Sequence, residues 1–582
     1  MEWKTIWDYF SRKSAQYSSD TALTFKENNE WRSLSYSEYY HKVLSLAAGL
    51  NSIGLDPENK VALYAPNCPE WKYSYLACMA NASTIVPIDN KMSLSEFGHI
   101  MNSSKARFLI ITQNDVNDQF FETILKLKYL DIIVIIGKDR ETIKGYGLEK
   151  AGDENKGKKK RPFFKFKQKQ DYGRLHFTFV DDLYHQGKED YTPPAEKYTN
   201  DIASIIYTSG TMGIPKGVML THENFLVNMK QIDEFLSEHL EISPSDRLLL
   251  VLPLNHAYAF TANFLLPLLR GMSVVFVESL TRVTQNADEQ HPTMLIAVPL
   301  LLEKMYGRIQ NQLQESKIKN ALYRFPWFKK IVGKKFKDKL GGSLRFIISG
   351  GAPLDPQICK DFWDMGLPIL QGYGMTEAAP VISVNPPSRP KYASVGIPLP
   401  GIEVKTIDHN DEGIGELLVK GKNVMQGYYG MPEETAKILK ENWLHTGDLG
   451  YIDNDNYIFI KGRQKNIIVN REGKNIYPEE IEIVLNDSIF IEESLVVGYQ
   501  EPGSQGEKVG AIIVPDLEYF EEWSAGKKIS LTDEVVENII KKEVKKHCGN
   551  IASYKHPRKI KIRTEPFQKT PTQKIKRSLY EF

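Results

Sequence analysis

The sequence predicts an α/β protein built from more than one domain, and three observations predict it. Apolar, β-branched runs alternate with helical patterns through the first part of the chain, the plan of a mainly parallel sheet covered by helices. The chain has 582 residues, more than a single hydrophobic core is expected to organise. Near Lys465 the texture changes to short β runs with acidic or basic helices, which reads as a smaller α+β domain. We place the boundary between 464 and 465, giving domains 1–464 and 465–582.

The elements follow in order. Ser35-x-x-Glu38 is a capping-box pattern that opens a helix with Tyr40, Val43, Leu44, Ala47 and Leu50 on one face. Gly54 stands where that helix would stop. The run 61–64 reads as a strand closed by Pro66, 71–79 as a helix and 83–87 as an apolar strand. Two more buried strands follow at 108–112 and 132–136, with a helical pattern between them. The run 202–206 is a further buried strand. A long helical segment runs from His222-Glu-Asn224 to about Leu240, then 249–251 is apolar, and 344–349 is a strand running into a glycine turn. Past the boundary, 467–470 begins a β segment and 478–482 an acidic helix. Strands at 496–498 and 510–514 and a helix over 533–546 complete the chain.

Composition narrows the function classes. Hydrophobic content of 42% and charged content of 25% are those of an ordinary globular protein. A net charge of +1 argues against a nucleic-acid partner. The opening residues lack the basic-then-apolar plan of a signal peptide, and no run approaches a membrane span. The four cysteines show no zinc spacing and no disulfide framework, so the expected location is a reducing cytoplasm. Two patches interleave lysines with aromatics. One gathers Lys156, Lys158, Lys159, Lys160, Arg161, Lys165, Lys167 and Lys169 around Phe163, Phe164 and Phe166. The other joins Arg324, Phe325, Trp327, Phe328, Lys329 and Lys330 to Lys334, Lys335 and Lys337. Most charge runs are solvated surface. The interleaving also fits peripheral contact with a membrane surface.

The chemistry is concentrated in a few loops. The 202–206 strand leads into Tyr207-Thr-Ser-Gly-Thr-Met-Gly-Ile-Pro-Lys216-Gly217. Small residues, the hydroxyls of Thr208, Ser209 and Thr211, and one mobile cation make a phosphate cradle. It is not a Walker A loop, because Lys216 is followed by Gly217 rather than Ser or Thr. In Leu370-Gln-Gly-Tyr-Gly-Met-Thr-Glu377, Gly372 and Gly374 bracket the aromatic face of Tyr373. The adjoining Thr376 hydroxyl and Glu377 carboxylate suit an α-phosphate and its Mg²⁺. A dinucleotide fingerprint would require glycine where Glu377 stands. Gly350-Gly351-Ala352 lies beyond a strand end, where open parallel sheets bind ligands. Asp448, in Trp443-Leu-His-Thr-Gly-Asp448, suits a ribose diol. A lone histidine such as His256 is more often structural.

These loops resemble, in order, the signature motifs of the adenylate-forming superfamily of acyl-CoA synthetases, adenylation domains and luciferases. The departures are Met212, where Thr or Ser is usual, and Gln573 in the tail Lys569-Thr-Pro-Thr-Gln-Lys574-Ile, where glycine is usual. The resemblance implies a large N-terminal domain of mainly parallel α/β subdomains with a β-rich subdomain, and a small, mobile α+β C-terminal domain. It implies ATP bound by Thr208, Ser209, Gly210, Thr211, Gly213 and Lys216, with adenosine on Gly350, Gly351 and Ala352. It extends the nucleotide site to Gln371, Gly372, Tyr373, Gly374 and Thr376, with ribose on Asp448 and Arg463. It gives Mg²⁺ to Glu377 and Thr208, acyl-pocket contact to His256, an aromatic gate to Phe260 and adenylation catalysis to Lys574. Lys465 matches the hinge, and Gly473 and Lys474 lie in the loop that meets coenzyme A.

The implied reaction is activation of a carboxylic acid by ATP and transfer of the acyl group to coenzyme A. A medium- or long-chain fatty acid is the expected substrate. The alternatives are an aryl or short-chain acid, transfer to a carrier protein, or a non-catalytic homologue that binds acyl groups or nucleotide. Assembly as a dimer is the expectation for oligomeric state.

Overall fold

The structure is a computed structural model that describes residues 3–140, 148–150, 164–166, 175–185, 191–194, 199–208, 215–314, 316–472, 474–501, 506–527, 529–570 and 574–582. Two large sheets carry most of the chain. In the first, Ile202–Thr208, Thr84–Ile88, Lys60–Tyr64, Phe108–Thr112, Ile132–Ile136 and His176–Phe179 lie side by side and parallel. In the second, Ile369–Gly374, Phe346–Ser349, Met294–Ala297, Arg247–Leu250, Ser273–Phe276 and Thr21–Glu27 are parallel neighbours. Antiparallel strands close the edges of both. The fold is therefore mixed α/β, as the alternation of runs predicts.

The strands are apolar on both faces because both are covered. Side chains alternate across a strand. Val61, Leu63, Phe108, Ile110 and Val134 thus face one core while Ala62, Tyr64, Leu109, Ile111 and Ile133 face another. In the second sheet Leu248 and Leu250 enter the same shared core, and Leu249 turns to an outer one. The helices Ile6–Gln16, Tyr36–Ser52 and Pro69–Ala80 fill the space between the sheets. Pro69–Ala80 is buried at eleven of its twelve positions, as expected of a helix apolar around its whole circumference. Its Pro69 occupies the first turn, where no N–H is missed, so it starts two residues before the predicted segment. Ser35 and Glu38 form the expected reciprocal cap.

A separate antiparallel part contains Glu403–Ile407, Gly415–Lys420, Leu439–Lys440, Trp443–Ile452 and Ile458–Arg463. Beyond it, Ile491–Tyr499 and Lys508–Pro515 pair antiparallel, and Lys559–Ile562 adds in parallel. Pro478–Asn486 and Asp533–His547 pack on this small sheet, and Phe567, Ile575, Tyr580 and Phe582 on its other side. The β segment predicted over 467–470 shrinks to Ile468–Val469, paired with Asn475–Ile476. Among the described residues no helix is long and apolar enough to cross a membrane. Of the first basic patch, Lys156–Lys160, Arg161, Phe163, Lys167 and Lys169 lie outside the described residues.

Candidate active site

Strand ends from both sheets converge on one cavity of about 700 Å³. Thr208 ends one parallel strand, Gly350 and Gly351 follow Phe346–Ser349, and Ile369–Gly374 delivers Gly372, Tyr373 and Gly374. Thr376 and Glu377 follow in a short 3₁₀ turn and line the cavity too. Arg463, from the antiparallel part, and Lys569, Thr570, Lys574 and Lys576, from the tail, close it. Its volume lies within the ordinary range for a small-molecule site.

The cavity has two chemically different ends. Hydroxyls, backbone and charges gather around Thr208, Thr376, Glu377, Arg463 and Lys574. The other end is apolar, walled by Ile232, Phe235 and Leu236 of the helix His222–His239, by Leu266 and by Leu399. His256 stands between Asn255 and Ala257 on the wall, its Nε2 3.4 Å from Asp89 Oδ2. Burial works against the Asp89 charge, but His256 and the Lys91 N–H, which donates at 2.8 Å, outweigh it and hold the carboxyl below its usual range.

Glu377 is fixed from a strand that sequence reading did not connect to it. The Tyr428 hydroxyl donates to Glu377 Oε1 at 2.8 Å, and the Met425 N–H donates to the Glu377 carbonyl. Among the described residues none donates to Oε2, and Glu377 lines the cavity. Lys574 is held at the backbone, where its N–H donates to Thr570 Oγ1 at 3.1 Å and its carbonyl accepts from the Thr570 N–H. Its side chain is open to the cavity while surrounded by protein. Burial, then the positive charge of Arg463, brings its pKa down to about 8.

Asp448 does not line the cavity. It lies behind Tyr373, accepting from the Tyr373 hydroxyl at 2.7 Å and from Arg463 Nε at 2.8 Å. Register explains the second contact, since Asp448 and Arg463 are direct cross-strand partners. Gln371 is also turned inward, donating to the Tyr392 carbonyl at 2.7 Å. Ala352 is exposed and outside the lining. Lys216 lies beside the cavity rather than in it, 2.5 Å from Glu434 Oε2 and over the Tyr428 ring. Glu434 is pulled down to about 2 by hydrogen bonds from Lys216 and Lys437. Lys474 pairs with Glu472 at 3.4 Å and stacks on Tyr554, away from the cavity. Ser209, Gly210, Thr211, Gly213 and Gly473 lie outside the described residues.

Phe260 also departs from expectation, and Gly374 gains a second reason to be glycine. Phe260 is not a gate in this structure. It is 2% exposed, absent from the cavity wall and packed among Trp71, Tyr75, Phe225 and Phe264. Gly374 is glycine for a packing reason as well as for ligand approach, because a Cβ there would sit 2.0 Å from the Pro380 carbonyl oxygen.

Comparison with known proteins agrees with this architecture. The profile of the family described as "AMP-binding enzyme" matches residues 10–429. Long chain acyl-CoA synthetase 1 of Arabidopsis thaliana is 27% identical, over 97% of this chain and 88% of that protein. A chloroplastic long-chain-fatty-acid–[acyl-carrier-protein] ligase of the same plant is 25% identical, over 99% and 85%. Among solved structures, an anthranilate CoA ligase in complex with anthranoyl-AMP superposes with a TM-score of 0.76 at 22% identity, covering 99% of this chain and 96% of that one. The o-succinylbenzoate CoA synthetase of Bacillus subtilis, in complex with ATP and magnesium, gives 0.70 at 22%, covering 98% of each.

Proposed function

Because the chain belongs to the AMP-binding enzyme family and is an AMP-forming acid–CoA ligase, we propose that its acid is a medium- or long-chain fatty acid. The acid is activated with ATP to an acyl-adenylate, then transferred to coenzyme A, releasing AMP and pyrophosphate. The observation that carries this reading is the two-ended cavity, which combines an aliphatic wall with hydroxyls, the carboxylates of Asp89, Glu96 and Glu377, and the cations of Lys91, Arg463, Lys569, Lys574 and Lys576. A carboxylate headgroup at the polar end would leave its alkyl chain against Ile232, Phe235, Leu236 and Leu266.

Each residue then has a task. A carboxylate is a poor acyl donor until its oxygen carries a better leaving group. Attack on the α-phosphate needs the partners held in line and the developing charge neutralised. Thr208 and the loop after it cradle the β- and γ-phosphates, and an incoming phosphate competes with Glu434 for Lys216. Gly350, Gly351 and Tyr373 bracket the adenosine, while Arg463 meets the ribose and Asp448, set behind the cavity wall, holds Arg463 and the Tyr373 hydroxyl in place. Glu377 and Thr208 would hold Mg²⁺, whose charge would offset that of the phosphate oxygens. One carboxylate suits an ion that keeps most of its waters and shares the substrate's phosphates. Lys574 supplies positive charge at the α-phosphate, and His256 positions the acyl end.

The segment 465–582 acts as a lid that turns about Lys465. Lys574 lines the cavity while Lys474 lies away from it, the arrangement suited to adenylation. Rotation would withdraw Lys574 and bring the 473–474 loop in with the thiol. We place the reaction in the cytoplasm, a reading supported by four unpaired cysteines.

The test is a pyrophosphate-release screen with ATP, Mg²⁺ and acids from acetate to oleate, with and without coenzyme A. Sustained release with a long acid only when coenzyme A is present supports the proposal. Release that stops after one turnover despite coenzyme A moves the acceptor to a carrier protein. Preference for an aryl or short acid overturns the assigned substrate.

A further inference from the structure

We propose that the helices Lys317–Leu322 and Pro326–Asp338 form a docking surface for an anionic phospholipid membrane. The sequence between 316 and 339 holds nine lysines and arginines against one acid, Asp338, in a chain whose net charge is +1. Such an imbalance is local and cannot be explained by the charge of the whole protein.

The longer helix has two distinct faces. Phe328, Val332 and Phe336 pack against the outer core of the second sheet. Lys329 is neutralised on that side by Asp361 at 2.6 Å and Asp364 at 2.9 Å. The opposite face has no such partner. Trp327 and Ile331 stand one turn apart, 54% and 44% exposed, with Lys330 and Lys334 beside them. Phe325 at the helix start is 51% exposed, and Ile318 on the preceding helix is 73% exposed. Four of the ten large apolar side chains exposed among the described residues therefore fall within this short stretch. Among the described residues, Lys317, Lys319, Arg324, Lys330, Lys334 and Lys335 have no carboxylate at ion-pairing distance.

Charge and apolar surface together select the occupant. Anionic headgroups attract juxtaposed lysines, and indole, phenyl and aliphatic groups settle at the boundary between headgroup and acyl chain. A nucleic acid would use the lysines and leave Ile318 and Ile331 without a role. This surface is outside the cavity and its docking does not depend on which acid the enzyme activates.

The experiment is co-sedimentation of the full chain with vesicles of phosphatidylcholine alone or mixed with phosphatidylglycerol, at low and high salt. We expect binding only to the mixed vesicles and its loss at high salt. The pair Lys330→Glu with Lys334→Glu should lower the partition coefficient at least about thirtyfold, and Trp327→Ser with Ile331→Ser about tenfold. Pyrophosphate release with a water-soluble acid, measured without vesicles, should stay at the wild-type rate in both variants, which also reports on folding. Failure to bind the mixed vesicles overturns the proposal. So does binding that is unchanged in both variants, or displacement from vesicles by duplex DNA with the serine variant still retained on DNA.

Discussion

Lys574 sits where a positive charge is useful and is also discouraged. Burial and Arg463 bring its pKa to about 8, so both protonation states are populated in the physiological range. In the proposed mechanism adenylation uses the protonated form. Its rate should therefore be full below pH 8 and fall as the pH rises through about 8, roughly two units earlier than for an ordinary lysine. Thioester formation from supplied acyl-AMP should lack this limb. Lys574→Ala should lower adenylation by about 10²-fold or more and leave that second step near the wild-type rate; equal loss of both would remove the lysine's assigned role. Glu377→Gln keeps an acceptor for the Tyr428 hydroxyl and removes the charge. It should raise the Mg²⁺ concentration for half-maximal pyrophosphate release by about tenfold, and an unchanged Mg²⁺ curve would count against the metal assignment. At this scale the sequence was informative wherever chemistry is contiguous. Thr376-Glu377 and the glycine-flanked Tyr373 announce themselves within a few residues. Tyr428, Asp89 and Glu434 do not, because each reaches its partner from a different strand or helix and none lies in a run with ligand chemistry of its own.

Elements reveal why some of these motifs have the composition they do. Gly374 ends a parallel strand where the chain doubles back, and the Met375 N–H donates to the same Pro380 carbonyl that a Cβ would strike. Gly374→Ala must push two backbone segments apart. We expect a cost of about 3 kcal/mol, a lower melting temperature by calorimetry, and loss of adenylation. Strands and helices were the most legible features, since two-sided burial writes itself into 108–112 and 132–136 as unbroken apolar runs. The segment 257–265 was less so. Its aromatics suggest a pocket, yet it folds as a helix with a π turn at Thr261–Leu265 that sends Phe260 and Phe264 inward while Thr261 and Ala262 reach the cavity. Which face of a short helix meets the ligand depends on what it packs against, and that lies in Trp71 and Tyr75, far away in sequence.

In the proposed division a large body meets a small one at Lys465, whose charge is disfavoured by burial and by Arg463. Lys461 pairs with Glu480 at 3.0 Å, Lys576 contacts Glu96 at 3.5 Å and Lys304 approaches Glu492 at 4.0 Å, ion pairs between partly exposed side chains, which contribute little each. If the lid turns here, Lys465→Pro should spare adenylation and slow thioester formation by at least about tenfold; parallel loss of both steps would place the hinge elsewhere. The two halves also differ in how their interiors are owned. The small body has side chains enough to fill its own centre. The two great sheets do not, for the helices Ile6–Gln16, Tyr36–Ser52 and Pro69–Ala80 serve as the common filling of both. Neither sheet can be excised and keep its inner face dry. The large body should consequently melt in one cooperative step with no half-folded survivor, while the small one melts on its own terms, so that a calorimeter would hear two notes from this chain rather than three.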